Sequence, residues 1–449
     1  MSRTYLLLAV LIPVAVFGQV PGRGGPPPEA FAACQGRAEG SACRFEAPHG
    51  TVPGTCRTMG EGRPVCVPAG GGPGRMEGQQ RADRPPRNSG ADIAAHDPGA
   101  VRVESRLPDT NQGSCFDNER LIPCPPAGSA FSGQDAQYEG ATPNYRDNGD
   151  GTVGDLVTGL TWERAHHDTR LDYYGAEAAC RALTLGGKHD WRLPNIKELF
   201  SLADFRGSQG RRAFIDDVFE FRQPGADVLQ GDRFASTHSP GMMGQTWSST
   251  IYTGVHFGRP GVEAAFFFNF LDGHVKQAPT RGGNRLFYRC VRGPAWGNNR
   301  FQDIGNGTVA DQASGLVWQQ SDDGRPRDWP EALAYCRNLS LGGKRDWRLP
   351  NVKELQSIVD YTRHAPALDE RFLGMTDTRG WFWSSTTHGD QVRHAAYVCF
   401  GPCTDIDGVD VHGAGGQRSD PKVGNPKDFG SLGGQRDEVR IRNYVRCVR

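Results

Sequence analysis

Twelve cysteines are the residues of this sequence whose chemistry is clearest. Their even number, behind an N-terminus typical of a secretory signal, favours disulfides over free thiols or zinc ligands. Cys180 and Cys336 fall on the apolar faces of two predicted helices, and Cys290 and Cys447 fall on the last predicted strands of the same units. We therefore predict the disulfides Cys180–Cys290 and Cys336–Cys447, each closing a loop of about 110 residues and contributing ~4–5 kcal/mol.

The other eight cysteines form three groups. Cys399 and Cys403 have three intervening residues where the thioredoxin-type motif has two, which favours a structural disulfide at a hairpin over a redox pair. Cys115 and Cys124 flank a short loop and are expected to pair. The last four lie within 33 residues, and their spacing leaves all three connectivities open. These four are Cys34, Cys43, Cys56 and Cys66.

Acidic residues offer one weak metal candidate. Asp405, Asp407 and Asp410 lie in a Gly-rich segment and could supply part of the six or more oxygens that calcium takes. Residues 147–151 do not have EF-hand spacing and predict a turn instead. Because the first half of the sequence has no counterpart of the aspartate cluster, a solvated loop is favoured. We expect no cofactor, with calcium as the alternative.

Histidines are a second possible source of metal ligands. Without paired spacing on one predicted element, they are expected to be ordinary surface side chains. The histidines in question are His166, His167, His388, His394 and His412.

The N-terminus and the charge balance indicate export. Residues 1–18 carry Arg3 followed by an apolar stretch too short to span a bilayer, which is typical of a secretory signal peptide. No later segment is apolar for long enough to form a transmembrane anchor. Basic and acidic residues number 51 each, so no overall field favours nucleic acid. We expect a secreted, periplasmic or cell-surface bacterial protein.

A duplicated unit makes up most of the chain. Residues 147–204 align without a gap on residues 303–360, with 30 identities in 58 positions. A period this long indicates duplicated globular domains and not a solenoid. The predicted copies span residues 144–293 and 298–449.

Three segments separate the signal peptide from the first copy. Residues 19–68 form a small Cys-rich module that needs disulfides because it cannot bury a core. Residues 69–106, rich in Gly, Pro and Arg, predict a disordered linker. Residues 107–143, with Cys115 and Cys124, form a lead-in to the first copy.

Each copy predicts an α+β unit. Asp172 and Asp328 can cap a first helix, and Asn195, with Glu198 three residues later, can cap a second one. The W-R-L-P-N segment lies before the second helix. Its Trp and Leu are predicted to lie in the core, its Arg to bond to backbone and its Asn to cap the helix. A further Trp is predicted on a buried strand. These fold residues are Trp191, Arg192, Leu193, Pro194, Asn195 and Trp247, with Trp347, Arg348, Leu349, Pro350, Asn351 and Trp383 in the second copy.

Taken together, the motifs NGDGTV, TGLxW, LGG, DWRLPNxKEL, WSST and the closing RCVR resemble the Lcl C-terminal domain family. The family is named for the C-terminal domain of the Legionella collagen-like adhesin. The resemblance implies two tandem C-type-lectin-like domains, each with two helices on small antiparallel sheets and a disulfide from a helix to the last strand. It also implies an adhesin, since the named member binds sulfated glycans.

The resemblance places ligand recognition in the loops 251–285 and 387–440. Aromatic and Arg side chains there could stack on, or hydrogen-bond, a glycan or protein ligand outside the cytoplasm. Two binding copies would add avidity. The candidate ligand residues are Tyr252, His256, Phe257, Arg259, Arg281 and Arg393.

Two alternatives to a binding protein are open. The lectin-like fold also hosts formylglycine-generating oxidases, but those enzymes need redox-active cysteines, whereas the cysteines here are expected to form structural disulfides. A serine hydrolase is not favoured either, because Ser248 and Ser384 have no G-x-S-x-G context. We therefore expect no enzyme activity. A structural cell-envelope protein that binds only its neighbours is the second alternative. Oligomeric state and ligand identity do not follow from the sequence.

Overall fold

The computed structural model describes residues 28–47, 50–59, 63–68, 99–222, 225, 243–389 and 391–449. The chain forms two compact units that divide between residues 87 and 88. The predicted signal peptide lies outside the described residues, as does the part of the predicted linker from 69 to 98.

The N-terminal unit is a disulfide-held antiparallel sheet. It contains helix α1 (Pro28–Ala32) and strands β1 (Ala42–Ala47), β2 (Gly50–Met59) and β3 (Arg63–Pro68), in the order β1-β2-β3. The disulfides are Cys34–Cys56 and Cys43–Cys66, which selects one of the three connectivities. All four cysteines are buried with Ala30 and Val65. A core this small is stable only with such cross-links.

The predicted linker ends earlier than expected. Strand β4 (Val101–Arg102) pairs in parallel with β7 (Tyr138–Glu139), and the Arg106 backbone N–H donates to the Ser314 carbonyl. Residues 101–106 are therefore structured, because their backbone groups have partners in the lead-in and in the second copy.

The lead-in precedes the first copy in sequence but docks on the second. It contains the hairpin β5 (Cys115–Phe116) and β6 (Leu121–Ile122), closed by Cys115–Cys124. The Gln112 side chain donates to the Thr387 carbonyl at 2.7 Å and accepts from its N–H at 2.8 Å. The Lys422 ammonium donates to the Asp117 carbonyl at 2.9 Å.

Each copy has two helices and matching strands. The first copy contains β8 (Tyr145–Asp147), β9 (Thr152–Asp155), β10 (Thr161–Glu163), α2 (Tyr173–Ala182), α3 (Ile196–Ser201), β11 (Gln245–Ile251), β12 (Ala264–Asn269), β13 (His274–Pro279) and β14 (Val291–Arg292). The second contains β15 (Phe301–Asp303), β16 (Thr308–Asp311), β17 (Val317–Gln319), α4 (Trp329–Asn338), α5 (Val352–Ser357), β18 (Trp381–Thr387), β19 (His394–Cys399) and β20 (Gln417–Pro421). The predicted α+β class is present.

The helix starts follow the sequence signals. Asp172 accepts a hydrogen bond from the Gly175 N–H at the start of α2. Asn195 and Glu198 form a capping box at α3, and Asn351 does the same with Glu354 at α5. These caps satisfy N–H groups that have no partner within the helix.

The arginine of the W-R-L-P-N segment has a partner that the sequence analysis did not name. Arg192 donates to both carboxylate oxygens of Glu198 at 2.7 Å, as well as to the Gly293 carbonyl at 3.2 Å. Arg348 holds Glu354 in the same way at 2.6 and 2.7 Å. The capping carboxylate is buried in each copy and therefore needs a fixed cation beside it.

Disulfides close both copies. Cys180 bonds to Cys290, and Cys336 to Cys447, each with Cα atoms 5.4 Å apart. Cys399–Cys403 completes the set, so all twelve cysteines are paired. The two long bridges are buried among the tryptophans of their copies. Each joins the predicted helix to the end of its copy, but Cys290 lies just before β14 and Cys447 lies outside the strands, where a last strand was predicted.

The two copies share one sheet and one core. Six strands run in the order β11-β12-β13-β20-β19-β18, with β13 of the first copy paired to β20 of the second at Val275 and Gln417. One apolar cluster contains Phe200 and Phe266 from the first copy and Leu355 from the second. The duplicated domains thus form a single body, in which the loops after β11 and β18 point toward the other copy.

Candidate functional site

The two segments predicted to hold a ligand meet where the copies join, since each contributes strands to the shared sheet. The Tyr252 hydroxyl donates to the Asp410 carboxylate, and the Phe257 N–H donates to the Asp410 carbonyl at 3.0 Å. Tyr252 and His256 are buried in this contact. Tyr252 joins the two copies, and neither side chain is exposed at the surface.

The predicted arginines lie apart from one another. Arg281 stacks on the Tyr174 ring, 4.5 Å from its centroid, and Arg259 is exposed. Arg393 is 71 % exposed, with its guanidinium 4.0 Å from the Glu119 carboxylate. Of these three, Arg393 lines a large cavity.

That cavity, here called the junction basin, has a volume of about 770 Å³. The lead-in, a loop of the first copy and two loops of the second copy meet around it. Its lining residues are Asn118, Glu119, Ser208, Gln209, Arg211, Gly389, Gln391, Val392, Arg393, His394, Pro421, Val423 and Phe429. The junction basin therefore exists only when both copies and the lead-in are docked.

The rim of the junction basin combines charge with an aromatic face. Arg211 and Arg393 are exposed cations, and Glu119 is an exposed carboxylate. The Phe429 ring is partly exposed. The Asn118 side-chain oxygen is buried without a hydrogen-bond partner within the described part of the chain. These groups offer hydrogen-bond donors, acceptors and a stacking surface to a polar ligand.

A smaller recess of about 150 Å³ adjoins the junction basin and shares Gln209, Gln391 and His394 with it. The rings of His274 and His388 stack in this recess, with centroids 4.5 Å apart and planes 7° apart. One His388 nitrogen lies 3.0 Å from the Asp272 carbonyl.

Three of the five histidines predicted at the surface are buried near this seam between the copies, whereas His166 is buried within the first copy and His167 is half-buried. His388 is 2 % exposed, and His394 and His412 are buried as well. Desolvation lowers the pKa of His388 and of His394 to about 4, so both are neutral near neutral pH.

The surface location predicted for His388 was wrong because its ring packs on His274 and lies against the Asp272 carbonyl of the first copy, which is far away in the sequence. His412 is covered within its own copy, where it lies 2.7 Å from Asp437.

Ion pairs neutralise the charges of the recess. The Lys276 ammonium donates to Asp272 at 2.9 Å, and Asp437 accepts from Arg418 at 2.9 Å and lies 2.7 Å from His412. Burial alone would raise the pKa of Asp437, but the Arg418 charge holds it well below its usual range. One Arg418 terminal nitrogen has no partner among the described residues, so it can donate to a ligand atom in the recess.

We expect acid to loosen the contact between the copies. The folded-state pKa of His388 and His394 lies below the unfolded value of 6.5, so protonation favours the unfolded chain. Their stabilising contribution is complete above pH 6.5 and is lost as the pH falls toward about 4. The melting temperature, measured by calorimetry across this range, is expected to fall with pH.

The matched control for this titration is His388→Gln, which keeps a donor for the Asp272 carbonyl but does not titrate. Its melting temperature should depend less on pH than that of the wild type. Equal pH dependence in both proteins would exclude His388 as the titrating group.

The three candidate calcium ligands are occupied by local donors. Asp410 accepts from the backbone N–H groups of Cys403 and Gly413 at 3.0 and 2.8 Å. Asp407 pairs with Arg436 at 2.7 Å, and Asp405 accepts from two N–H groups of its own turn. Among described residues, three metal-type side chains gather only at Cys34, Cys43 and Cys66, whose sulfurs are already bonded.

Comparison with protein-family models identifies the repeated unit. The model described as the Lcl C-terminal domain matches residues 151–292 and 307–420, together more than half of the chain. This chain belongs to the Lcl C-terminal domain family. The two matched segments confirm two tandem copies of the domain. No curated protein and no solved structure matches the chain.

An adhesin-like family and six disulfides point to an extracellular or cell-surface location for these Lcl C-terminal domains. Within the described ranges, the helices are too short or too polar to cross a membrane.

Each Lcl C-terminal domain also carries a lysine whose role the sequence analysis missed. The Lys353 ammonium donates to the carbonyl of Ser201 in the first copy at 2.9 Å, and Lys197 donates to the carbonyl of Ser357 in the second at 2.6 Å. Each lysine thus binds the end of the other copy's helix. Repetition of a lysine at the same position of α3 and α5 was the available signal.

Proposed function

We propose that this protein is an adhesin-type binding protein that recognises a glycan or protein ligand in the junction basin. The observation that carries the proposal is the convergence of four separate segments on one open cavity, which the side-chain oxygen of Asn118, buried and unpaired among the described residues, also lines. Membership of an adhesin-like family supports the same role. A concave site with a few converging polar groups is the usual form of a ligand site.

The chemistry of the rim favours a polar ligand with hydroxyl or carboxylate groups. The guanidinium groups of Arg211 and Arg393 can each donate two parallel hydrogen bonds to such groups. The Phe429 ring offers a flat apolar surface for the face of a sugar ring or an aromatic side chain. The Asn118 oxygen is an acceptor for a ligand hydroxyl.

We further propose a C-type-lectin-like architecture for each copy. Two helices against small antiparallel sheets, with the helix α2 or α4 bonded through sulfur to the end of the copy, support it. In this arrangement the long loops of the two copies contact each other. The duplication then builds one composite site, where the sequence suggested two independent ones.

Pairing of all twelve cysteines supports a binding role over an oxidase that depends on free thiols. The ion-paired carboxylates of the recess support recognition without a bound metal. A structural envelope role without a soluble ligand is the alternative outcome of the binding experiment.

We expect Arg393→Ala to weaken ligand binding roughly 10- to 150-fold, since a lost hydrogen bond to a charged group is worth ~1.5–3 kcal/mol. The secreted full-length protein is first applied to glycan and protein arrays, and the affinity for the strongest ligand is then measured by calorimetry.

Arg259→Ala is the matched control, because Arg259 is also an exposed arginine of a predicted ligand loop but lies outside the junction basin. It should bind like the wild type. Equal losses in both variants would place the site elsewhere, and arrays without signal would favour the structural role.

A further inference from the structure

Three side chains where the two copies meet are joined by two consecutive hydrogen bonds. The Lys197 amine nitrogen lies 2.9 Å from the side-chain oxygen of Asn299. The Asn299 side-chain nitrogen donates to the Asp311 carboxylate at 2.9 Å. Asp311 is buried. An amine, an amide and a carboxylate are thus in consecutive contact.

The backbone holds Asn299 over the lysine. Gly297 has a φ of +90°, and a Cβ at this position would lie 2.8 Å from the Lys197 Cβ. Only glycine allows this approach. The Gly297 carbonyl accepts from the Lys197 amine at 3.0 Å. The segment from Gly297 to Asn299 is therefore fixed against the lysine and does not sample other positions freely.

We propose that Lys197 and Asn299 form an intramolecular isopeptide bond, with Asp311 transferring the proton. The lysine nitrogen attacks the Asn299 Cγ, and a new C–N bond forms as the bond from Cγ to Nδ2 breaks. The amine gives up one proton, which Asp311 passes to Nδ2, and ammonia leaves. Asp311 ends unchanged, and no oxidant or cofactor is consumed.

The surroundings of Lys197 suit this chemistry. Desolvation lowers its pKa to about 8, so roughly a tenth of the amine is neutral and nucleophilic at neutral pH. Phe200 and Trp296 lie in the walls of the adjoining cavity, which has a volume of about 200 Å³. Lys197 and Asn299 also line a second cavity of about 730 Å³, which gives ammonia a path of exit.

The repeated domain supplies its own comparison. Lys353 occupies the equivalent position of the second copy, but its amine donates to the backbone carbonyls of Asp109 and Ser201. A backbone carbonyl of the chain cannot release ammonia, as the side-chain amide of Asn299 can. The bond is therefore specific to the first copy.

The bond would close a loop of 102 residues and join helix α3 to the segment that enters the second copy. Its loop overlaps the one closed by Cys180–Cys290. In an extracellular chain under tension, the first copy and its connection to the second copy would then stay covalently closed, even under reducing conditions. This inference does not depend on the ligand proposed above.

Mass spectrometry of the full-length secreted protein tests the bond. After reduction, the intact mass is expected to fall short of the sequence mass by one ammonia, and a tryptic digest should contain a branched peptide joining Lys197 to Asn299. An N-terminal glutamine also loses ammonia on cyclising, so the branched peptide is the deciding signal.

Lys197→Arg and Asn299→Ala should remove the branched peptide, and Asp311→Asn should lower its yield while leaving both reacting groups in place. Lys353→Arg should leave it unchanged. Wild-type protein in which both residues appear only in linear peptides would overturn the proposal without any variant having to fold.

Discussion

Replacing both Cys336 and Cys447 with alanine is expected to lower the free energy of unfolding by about 4–5 kcal/mol. The disulfide closes a loop with a sequence separation of 111 residues, so the open chain gains much conformational freedom when it is lost. Both cysteines are fully buried beside Trp347 and Trp383, and the folded structure therefore loses packing as well. Guanidinium unfolding followed by tryptophan fluorescence measures the change.

The matched control is the pair Cys399→Ala and Cys403→Ala in the same copy. This disulfide has a sequence separation of 4, and a short loop restricts the unfolded chain less, so a loss of about 2 kcal/mol is expected. If the two double variants were equally destabilised, loop closure would not be the source of the stabilisation.

Replacing Arg348 with methionine is expected to cost about 3–5 kcal/mol. The change leaves the Glu354 carboxylate buried without the two hydrogen bonds at 2.6 and 2.7 Å that compensate its charge. Because this carboxylate also caps helix α5, a shift toward the protonated acid weakens the cap. The same unfolding measurement gives the magnitude.

The first copy provides the control in Arg192→Met. The Arg192 side chain is 32 % exposed and that of Arg348 is 4 % exposed, so water can partly replace Arg192 and the loss should be smaller. The double variant of Arg348→Met with Glu354→Gln should recover part of the stability. Equal losses from the two single variants would show that burial does not set the cost.

Local signals in the sequence were sufficient to predict the helices of each copy and the disulfide that closes it. Asn195 and Glu198 cap α3 because a capping box is formed by residues three apart. Helix periodicity places Cys180 on the buried face of α2, where it meets the buried Cys290 just before β14. The repeat itself was visible as an unbroken alignment.

Most of the candidate site could not be predicted from such local signals. Arg393 was selected from its loop, but the surface location expected for His388 was wrong, and Tyr252 is buried against Asp410 of the other copy. Both depend on contacts with the other copy. Nothing in the local pattern of a loop tells whether another part of the chain will cover it.

The sequence by itself therefore determined the duplicated α+β unit, its helix caps and its disulfides, because periodicity, capping and cysteine placement act within one copy. Tertiary structure alone decided that β13 and β20 join the copies into one sheet. It also decided that the lead-in docks on the second copy and that the junction basin lies between them. Those outcomes arise because surfaces that are far apart in the chain are buried against each other. Whether two such surfaces fit depends on their shapes in the folded chain and not on a local sequence pattern.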